Sequence, residues 1–464
     1  MTGRTIYQTD VDVAFLNSPL PYPVFVRCPE GFEIPGKVWR LKRALYGLKE
    51  APRAWNTTLV KFLKDNGFEQ CLCDPCIFIH RPTDLWVVFV VDDILYAPMS
   101  GRDADADWFR ELLNREYGIK DLGKADVFVG IKIERDPLTG EMKLSQRAYI
   151  EKILKRFRWE HSNPASTPVA SGVKLSKDHC PSTPEEKEWS ASMQAVYRQA
   201  VGTLLYLAVT TRPDISYAVK EVAMYCHNPG RKHWTAVKRI FRYLKGTKDH
   251  GIIFKPGDVN HLSVLGYADA SHADLDNGKS TGGFALYLGG NLVSWRSRNQ
   301  TLVALSTCEA EYIALNECAR DLVFVRQLAD FFRLPVQRAK LITDNRGAGS
   351  VSYNEEVKQR TRHILVRYHF VRDLVLKGQL CVHWIASSEN TADIFTKGLD
   401  EAQHAHLRMK LLNNPVFDDE GTPMVPDEPH DKVLMAPDQS HSANTDSHAA
   451  ECALCCFLRY GSVC

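Results

Sequence analysis

No apolar run in this sequence approaches the ~18 to 20 residues that an α-helix needs to cross a bilayer, and no signal peptide is visible at its start. These absences predict an intracellular protein with no membrane partner. Paired cysteine spacing is missing as well. Thirteen cysteines, an odd number, are scattered along the chain, which gives no disulfide framework, and in a reducing compartment most should pack as small hydrophobes. Cys71, Cys73 and Cys76, like Cys452, Cys455 and Cys456, lack the second pair that zinc-finger spacing requires. Strong net charge is also lacking, at +2. That balance does not exclude a nucleic-acid partner, because charge is segregated: residues 231–248 hold seven Lys or Arg and no acid, while 417–451 hold nine acids against Lys432.

What is present is ordinary for a folded protein. With 44% hydrophobic and 25% charged residues the chain is not disordered as a whole, and 464 residues exceed one core, so two or three domains are expected. The most informative stretch is Val87-Val88-Phe89-Val90-Val91-Asp92-Asp93-Ile94-Leu95-Tyr96-Ala97. Two carboxylates between β-branched and aromatic runs predict a hairpin with the acids at its tip. Holding two like charges beside apolar strands is unfavourable without a cation, and magnesium is the natural one. Asp10 lies in a second strand-like run, Ile6 to Leu16. If that strand pairs beside the hairpin, Asp10 and Asp92 can share two ions about 3.5–4 Å apart, an arrangement that activates a 3′ hydroxyl and stabilises a leaving pyrophosphate. Taken alone, an Asp-Asp turn is common and needs no function.

Between these acids runs Leu45-Tyr46-Gly47-Leu48-Lys49-Glu50-Ala51-Pro52-Arg53-Ala54-Trp55. With it the chain resembles the reverse transcriptase and ribonuclease H portion of a copia-type LTR retrotransposon Pol polyprotein, from about residue 6 to about residue 400. The resemblance implies an α/β protein built of an α+β polymerase palm (1–145, with the preceding fingers absent), a helical thumb or connection region (146–258, with a Ser/Pro/Thr-rich linker near 162–184), and a mixed-sheet ribonuclease H-like domain (259–400). Residues 401–464 show no clear periodicity beyond Asn414 and are expected to be a disordered tail.

By motif position, Asp10, Asp92 and Asp93 would be the polymerase carboxylates, Asp10 and Asp92 holding metal and Asp93 serving geometry. Phe15 falls where the family keeps an aromatic that would clash with a ribose 2′ hydroxyl. Gly47, Lys49 and Pro52 would back template and nucleotide, although a turn glycine and a first-turn proline explain two of them structurally. In the helix ending near Lys248, Trp234, Val237, Phe241 and Leu244 share one stripe and leave Lys238, Arg239, Arg242 and Lys245 on other faces. A solvated basic face is the plain reading, and phosphate contacts are the one a polymerase favours.

A second set of acids resembles the ribonuclease H constellation: Asp269, one glutamate of Ser306-Thr307-Cys308-Glu309-Ala310-Glu311, Asp344 and Asp393. Ser306 with Glu309 three residues on forms a capping box, so Glu309 satisfies helix-start amides. Glu311 falls on the stripe continued by Leu315, Cys318, Leu322 and Val325 and is assigned to the metal. The set would hold two Mg2+, or Mn2+, per site and cut the RNA of an RNA/DNA hybrid, recognising the 2′ hydroxyl and hybrid shape. His363 and His369 match the family without an assignable role. Expected partners are an RNA template, a DNA primer, the hybrid and deoxynucleotides.

Departures from the family's pattern accompany these matches. Val90 stands where Tyr is usual, Asp12 and Val13 replace Lys and Thr, Glu50 replaces Gln, Ser271-His272-Ala273 replaces Asp-Trp-Ala, and Leu365 replaces Asp. Two other readings therefore stay open: a ribonuclease H whose polymerase half only binds hybrid, and a non-enzymatic nucleic-acid-binding remnant of a decayed element.

Overall fold

The computed structural model describes residues 3–170, 172–257, 262–353 and 370–413, with three two-residue strands at 416–417, 423–424 and 432–433. It is a mixed α/β architecture whose chain divides into two compact units between Val129 and Gly130.

The first unit holds a two-stranded pair, Phe25–Val26 with Trp39–Arg40, and a larger antiparallel sheet covered by two helices. The larger sheet's strands are β1 (Tyr7–Val11), β2 (Glu69–Gln70), β3 (Ile77–His80), β4 (Leu85–Val90), β5 (Asp93–Ala97) and β6 (Ile119–Lys124), arranged β2-β3-β4-β5-β1-β6. Alternate residues of the central strands, Phe78, Leu85, Val87, Phe89, Ile94 and Tyr96, share one core. They meet Trp55, Leu59 and Leu63 of α1 (Ala51–Asp65) and Ala106, Phe109 and Leu113 of α2 (Asp103–Tyr117). Period two on the strands and a three-to-four spacing on the helices are what an amphipathic sheet–helix contact requires. β1 lies between β5 and β6, so that Asp10 is opposite Asp93.

The second unit begins before the expected boundary at 145. β7 (Ile131–Arg135), β8 (Met142–Ser145) and β9 (Gly251–Phe254) pair antiparallel, so strands from both sides of the helical region close it off. The β-branched run 127–133 is not one strand: it turns at Val129 and Gly130, both with positive φ. Helices α3 (Arg147–Arg156), α4 (Pro184–Thr210), α5 (Ser216–Ala223) and α6 (Arg231–Gly246) pack around Ile153, Tyr197, Leu204, Val219, Val237 and Phe241. α4 starts at Pro184, at the end of the Ser/Pro/Thr-rich stretch, because Thr183 and Glu186 cap each other's backbone amides there.

A mixed sheet follows, with strands β10 (Val264–Ser271), β11 (Thr281–Leu288), β12 (Asn291–Asn299), β13 (Ala339–Thr343) and β14 (Leu380–Trp384) in the order β12-β11-β10-β13-β14 and the 432–433 strand at its edge. The first three are antiparallel, and β13 and β14 join parallel, as an α/β crossover demands. α7 (Thr307–Phe331) lies on β10 and β11.

The expected tail at 401–464 requires correction at its start. Asp400 caps a helix, α8 (Glu401–Leu412), whose His404, Leu407, Leu411 and Leu412 are buried. A buried polar cluster adjoins it. Arg212 and Asp214 form a fully buried bidentate pair at 2.9 and 2.7 Å, Arg212 also donates to the carbonyl and hydroxyl of Thr247, Tyr243 donates to Asp214 at 2.6 Å, and His404 Nε2 sits 3.4 Å from the Asp214 carbonyl. The guanidinium, its hydrogen bonds and the Tyr243 hydroxyl hold the Asp214 carboxyl far below the usual range despite burial, and burial pushes the His404 imidazole down to about 4. A buried pair stabilises little against an apolar replacement, but losing one partner strands the other. Arg212→Ala is therefore expected to cost about 3–5 kcal/mol in urea unfolding followed by circular dichroism; a loss below about 1 kcal/mol would mean that Asp214 is not stranded.

Candidate active sites

The Asp-Asp hairpin is tighter than a generic tip. Val90 pairs with Asp93, so Val91 and Asp92 alone make the turn, and Val91 is forced to a φ of 58°. A β-branched residue in the left-handed region is strained. Trp55 on α1 compensates by donating its indole N–H to the Val91 carbonyl at 2.5 Å, and the Val11 amide donates to the Asp92 carbonyl at 3.0 Å. Gln8 donates to Asp93 at 3.2 Å, two residues along β1 from Asp10.

The acids feel one another. Burial, then Asp92 and Asp93, raises the Asp10 carboxyl, and burial raises Asp93 against the Gln8 hydrogen bond. Phe15 is buried in a 3-10 turn directly after β1, with its ring centroid 4.5 Å from that of Tyr46. Tyr46 is exposed and was not singled out in the sequence, yet it lies near the acids: partial burial, then the charges of Asp92 and Asp10, raise its hydroxyl; its place inside the Leu45–Trp55 motif was the available signal. Gly47 takes a φ of 94°, Pro52 sits in the first turn of α1, and Lys49 is exposed. Neither Gly47 nor Pro52 needs a ligand to explain it.

The second group of acids is drawn together from four elements. Asp269 stands on β10, Asp344 follows β13, Asp393 lies in a 3-10 turn at Thr391–Phe395, and Glu311 is one turn into α7. Ligand oxygens of Asp269, Asp344 and Asp393 lie within 4.8 Å of one another. Two features allow that crowding. Asn390 donates to the carbonyl of Ala268, pinning the Asp393 turn to β10 at 3.0 Å, and Gly283, opposite Asp269, leaves room for it: a Cβ there would sit 2.5 Å from that of Phe395.

Thr396 donates to Asp269 and Ser387 to Asp344, while Lys397 Nζ lies 2.8 Å from Asp393 and 3.9 Å from Asp269. None of these three was anticipated, although Lys397 follows Asp393 by four residues, as an ion pair often does. Glu309 accepts from the Leu305 amide and its own amide donates to Ser306, so it caps α7, whereas Glu311 is buried toward the acids. Burial and then Asp269 and Asp344 push Glu311 up to about 10, and burial and then Asp269 push Asp393 up to about 7. One lysine does not neutralise four carboxylates. Glu311 Oε2, Asp344 Oδ1 and Asp393 Oδ1 are buried with no hydrogen-bond partner. Hard oxygen donors crowded in this way, with lone pairs left over, fit a divalent cation.

The basic face of α6 is used differently from the expectation. Arg239 donates to the Thr167 carbonyl and hydroxyl at 3.0 and 2.9 Å, Arg242 to the Asn163 carbonyl at 2.7 Å and Lys245 to the Ser162 carbonyl at 2.6 Å. Three of the four expected phosphate contacts thus fasten the segment read as a loose linker. Lys238 stays exposed, 6.0 Å over the Trp234 ring. His363, His369, Leu365 and the Cys452–Cys456 group lie outside the described residues.

Comparison with known proteins agrees with this layout. A family described as reverse transcriptase (RNA-dependent DNA polymerase) matches residues 1–171. The chain is 39% identical over 400 residues to the retrovirus-related Pol polyprotein from transposon TNT 1-94 of Nicotiana tabacum, covering 84% of this chain and 30% of that one. It is 32% identical over 320 residues to a transposon Ty5-1 protein of Saccharomyces cerevisiae, covering 68% of this chain and 100% of that one. The chain belongs to the copia-type retrotransposon Pol family. It spans about 30% of the length of the Nicotiana polyprotein and 27% of the Arabidopsis thaliana RE1 and RE2 polyproteins, to which it is 36% and 35% identical.

Among solved structures, an N-terminal RNase H domain from Mycobacterium tuberculosis aligns at 16% identity and a TM-score of 0.23, covering 32% of this chain and 97% of that one. The prototype foamy virus protease-reverse transcriptase aligns at 11% identity and the same TM-score of 0.23, covering 82% of this chain and 43% of that one. Among the described residues of this Pol chain, no helix is long and apolar enough to cross a membrane.

Two measurements follow from these geometries. Val91→Gly should relieve the turn and raise stability by about 1 kcal/mol, the strain removed less the entropy a glycine adds; unfolding in urea reads it, and a net loss would show that the turn is not strained. In the metal-free protein, Glu311 and Asp393 hold protons in the folded state that they release when unfolded, so stability should fall as pH rises from the ordinary carboxylate range through about 7. The thermal midpoint should drop from pH ~5 to ~8, Glu311→Gln should flatten the drop, and Mg2+ should reverse it; a metal-free midpoint that climbs over this range would contradict the site's electrostatics.

Proposed function

We propose that this chain cuts the RNA strand of RNA/DNA hybrids at the Asp269, Glu311, Asp344 and Asp393 site, and that Asp10, Asp92 and Asp93 form the companion RNA-directed DNA polymerase site. The observation that carries the proposal is the approach of three carboxylates from three elements within 4.8 Å, with buried oxygens left unpaired. Asp269, Asp344 and Asp393, with Glu311 beside them, would hold divalent magnesium or manganese. When bound, such ions activate water and stabilise the departing 3′ oxygen.

The protein's own residues set up that chemistry. Asn390 and Gly283 fix the spacing of Asp393 from Asp269, Ser387 and Thr396 orient individual carboxylates, and Lys397 supplies a cation at the rim. In the palm, Gln8 and Trp55 orient the acid turn, and Phe15 would exclude a ribose 2′ hydroxyl from an incoming nucleotide. The partners are an RNA template, a DNA primer, deoxynucleotides and the hybrid they produce, recognised by phosphate contacts and the RNA 2′ hydroxyl. A second reading, hybrid cleavage without synthesis, is favoured by one contrast. Among the described residues the three-carboxylate group forms at Asp269, Asp344 and Asp393 and not around Asp10.

A labelled RNA/DNA hybrid incubated with the full chain in Mg2+, with primer extension in the same tubes, tests both readings. Cleavage should fall at least about 100-fold in Asp344→Asn and extension by a similar factor in Asp92→Asn, the scale of losing one group aimed at developing charge. Cleavage without extension would support the second reading. Neither activity from a folded chain would overturn both.

A further inference from the structure

The segment Cys71-Leu72-Cys73-Asp74-Pro75-Cys76 joins β2 to β3 and is absorbed by neither site. Its backbone is fixed. The Cys71 amide donates to the Ile77 carbonyl at 2.9 Å, the Cys76 amide to the Asp74 carboxylate at 2.8 Å, and the Gln70 side-chain amide to the Pro75 carbonyl at 2.9 Å. Leu72 projects fully into solvent, while the residues on either side of it turn back toward each other. Their sulfur atoms lie 2.8 Å apart.

Cys71 is buried and Cys73 half-buried. The hydrogen bond between the two thiols holds Cys71 below the usual thiol range and raises Cys73, which divides the pair into a nucleophile and a partner that keeps its proton. Cys76 does not join them: its sulfur lies 3.9 Å from the Asn56 amide, and burial pushes its thiol up to about 11.

We propose that Cys71 and Cys73 form an oxidisable dithiol, a modification site for small-molecule disulfides of the glutathione class. The Cys71 thiolate, its proton lost to solvent, attacks one sulfur of the disulfide RSSR, making a Cys71–S–S–R bond and releasing one RS−. Cys73 then loses its proton to solvent, its sulfur attacks the Cys71 sulfur, and the second RS− leaves. Two protein thiols are oxidised to one Cys71–Cys73 disulfide, RSSR is reduced, and the two released thiolates take up the two protons. The site lies at the acid-bearing end of the sheet, because the Phe89 amide, two residues before Val91 on β4, donates to the Cys76 carbonyl at 3.2 Å.

The test treats the full chain with excess oxidised glutathione at pH ~8, where the lowered thiol is ionised, and maps the peptide carrying residues 71–76 by mass spectrometry. The expected result is loss of two mass units from that peptide with an assigned Cys71–Cys73 link. Cys73→Ser should instead stop at a single glutathione on Cys71, and Cys71→Ser should slow modification of Cys73 by about tenfold or more. Stable glutathione adducts on Cys71 and Cys73 without ring closure, equal alkylation rates for the two thiols, or a link to Cys76 would overturn the proposal. Because the decisive map is of the unaltered chain, a serine variant that fails to fold does not affect it, and neither does failure of the polymerase or nuclease reading.

Discussion

Repulsion between neighbouring carboxylates is the constraint around which both units are built. Asp10, Asp92 and Asp93 share the end of one sheet, while Asp269, Glu311, Asp344 and Asp393 converge where a strand, a helix and two turns meet. Burial raises the energy of each charge and proximity raises it again, so neither grouping would survive as a byproduct of packing. The raised carboxyls of Asp10, Glu311 and Asp393 are the measure of that tension. Compare Arg212 and Asp214, where burial at least as deep ends with a carboxyl held far down, because the countercharge is part of the chain. The fold resolves buried charge internally in this cluster and leaves it unresolved at Asp269, Glu311, Asp344 and Asp393.

Keeping the acids close requires local conformations that ordinary packing would avoid. Val91 accepts a left-handed backbone so that Asp92 occupies a two-residue turn, and the Trp55 indole secures it from α1, 36 residues upstream of Val91. Gly283 gives up a side chain so that the Asp393 turn can press against β11, and Asn390 ties that turn to β10. These are separate solutions to one problem, and each acts through the backbone. Strain concentrated at such positions, within otherwise regular strands, is what a site maintained against local preference looks like.

The parts of this arrangement that were legible in the sequence are those carried by periodicity and short motifs. Alternation around Val87–Ala97 gave the hairpin, and the stripe after Glu311 separated it from the capping Glu309, since helical spacing fixes which residues share a face. Contacts between distant segments left no such trace. Ser387 on Asp344 and Thr396 on Asp269 depend on loops whose course is set by tertiary packing. Nor did α8 announce itself strongly: its apolar residues are not on one clean stripe, and one of its contacts runs from His404 to the Asp214 carbonyl.

The basic face of α6 shows why charge alone misleads at this level. Seven cations without an acid in residues 231–248 read as a phosphate-binding surface, and the helix does turn them away from its apolar stripe. Yet segment 162–167 offers unpaired carbonyls that no regular element satisfies, and Arg239, Arg242 and Lys245 satisfy them. A Ser- and Pro-rich stretch with no periodicity has backbone acceptors to dispose of, and a basic helix packed beside it is the nearest source of donors. The two features that sequence reading treated separately, an irregular linker and an unexplained cationic face, answer each other. Lys238, by contrast, remains exposed over the Trp234 ring.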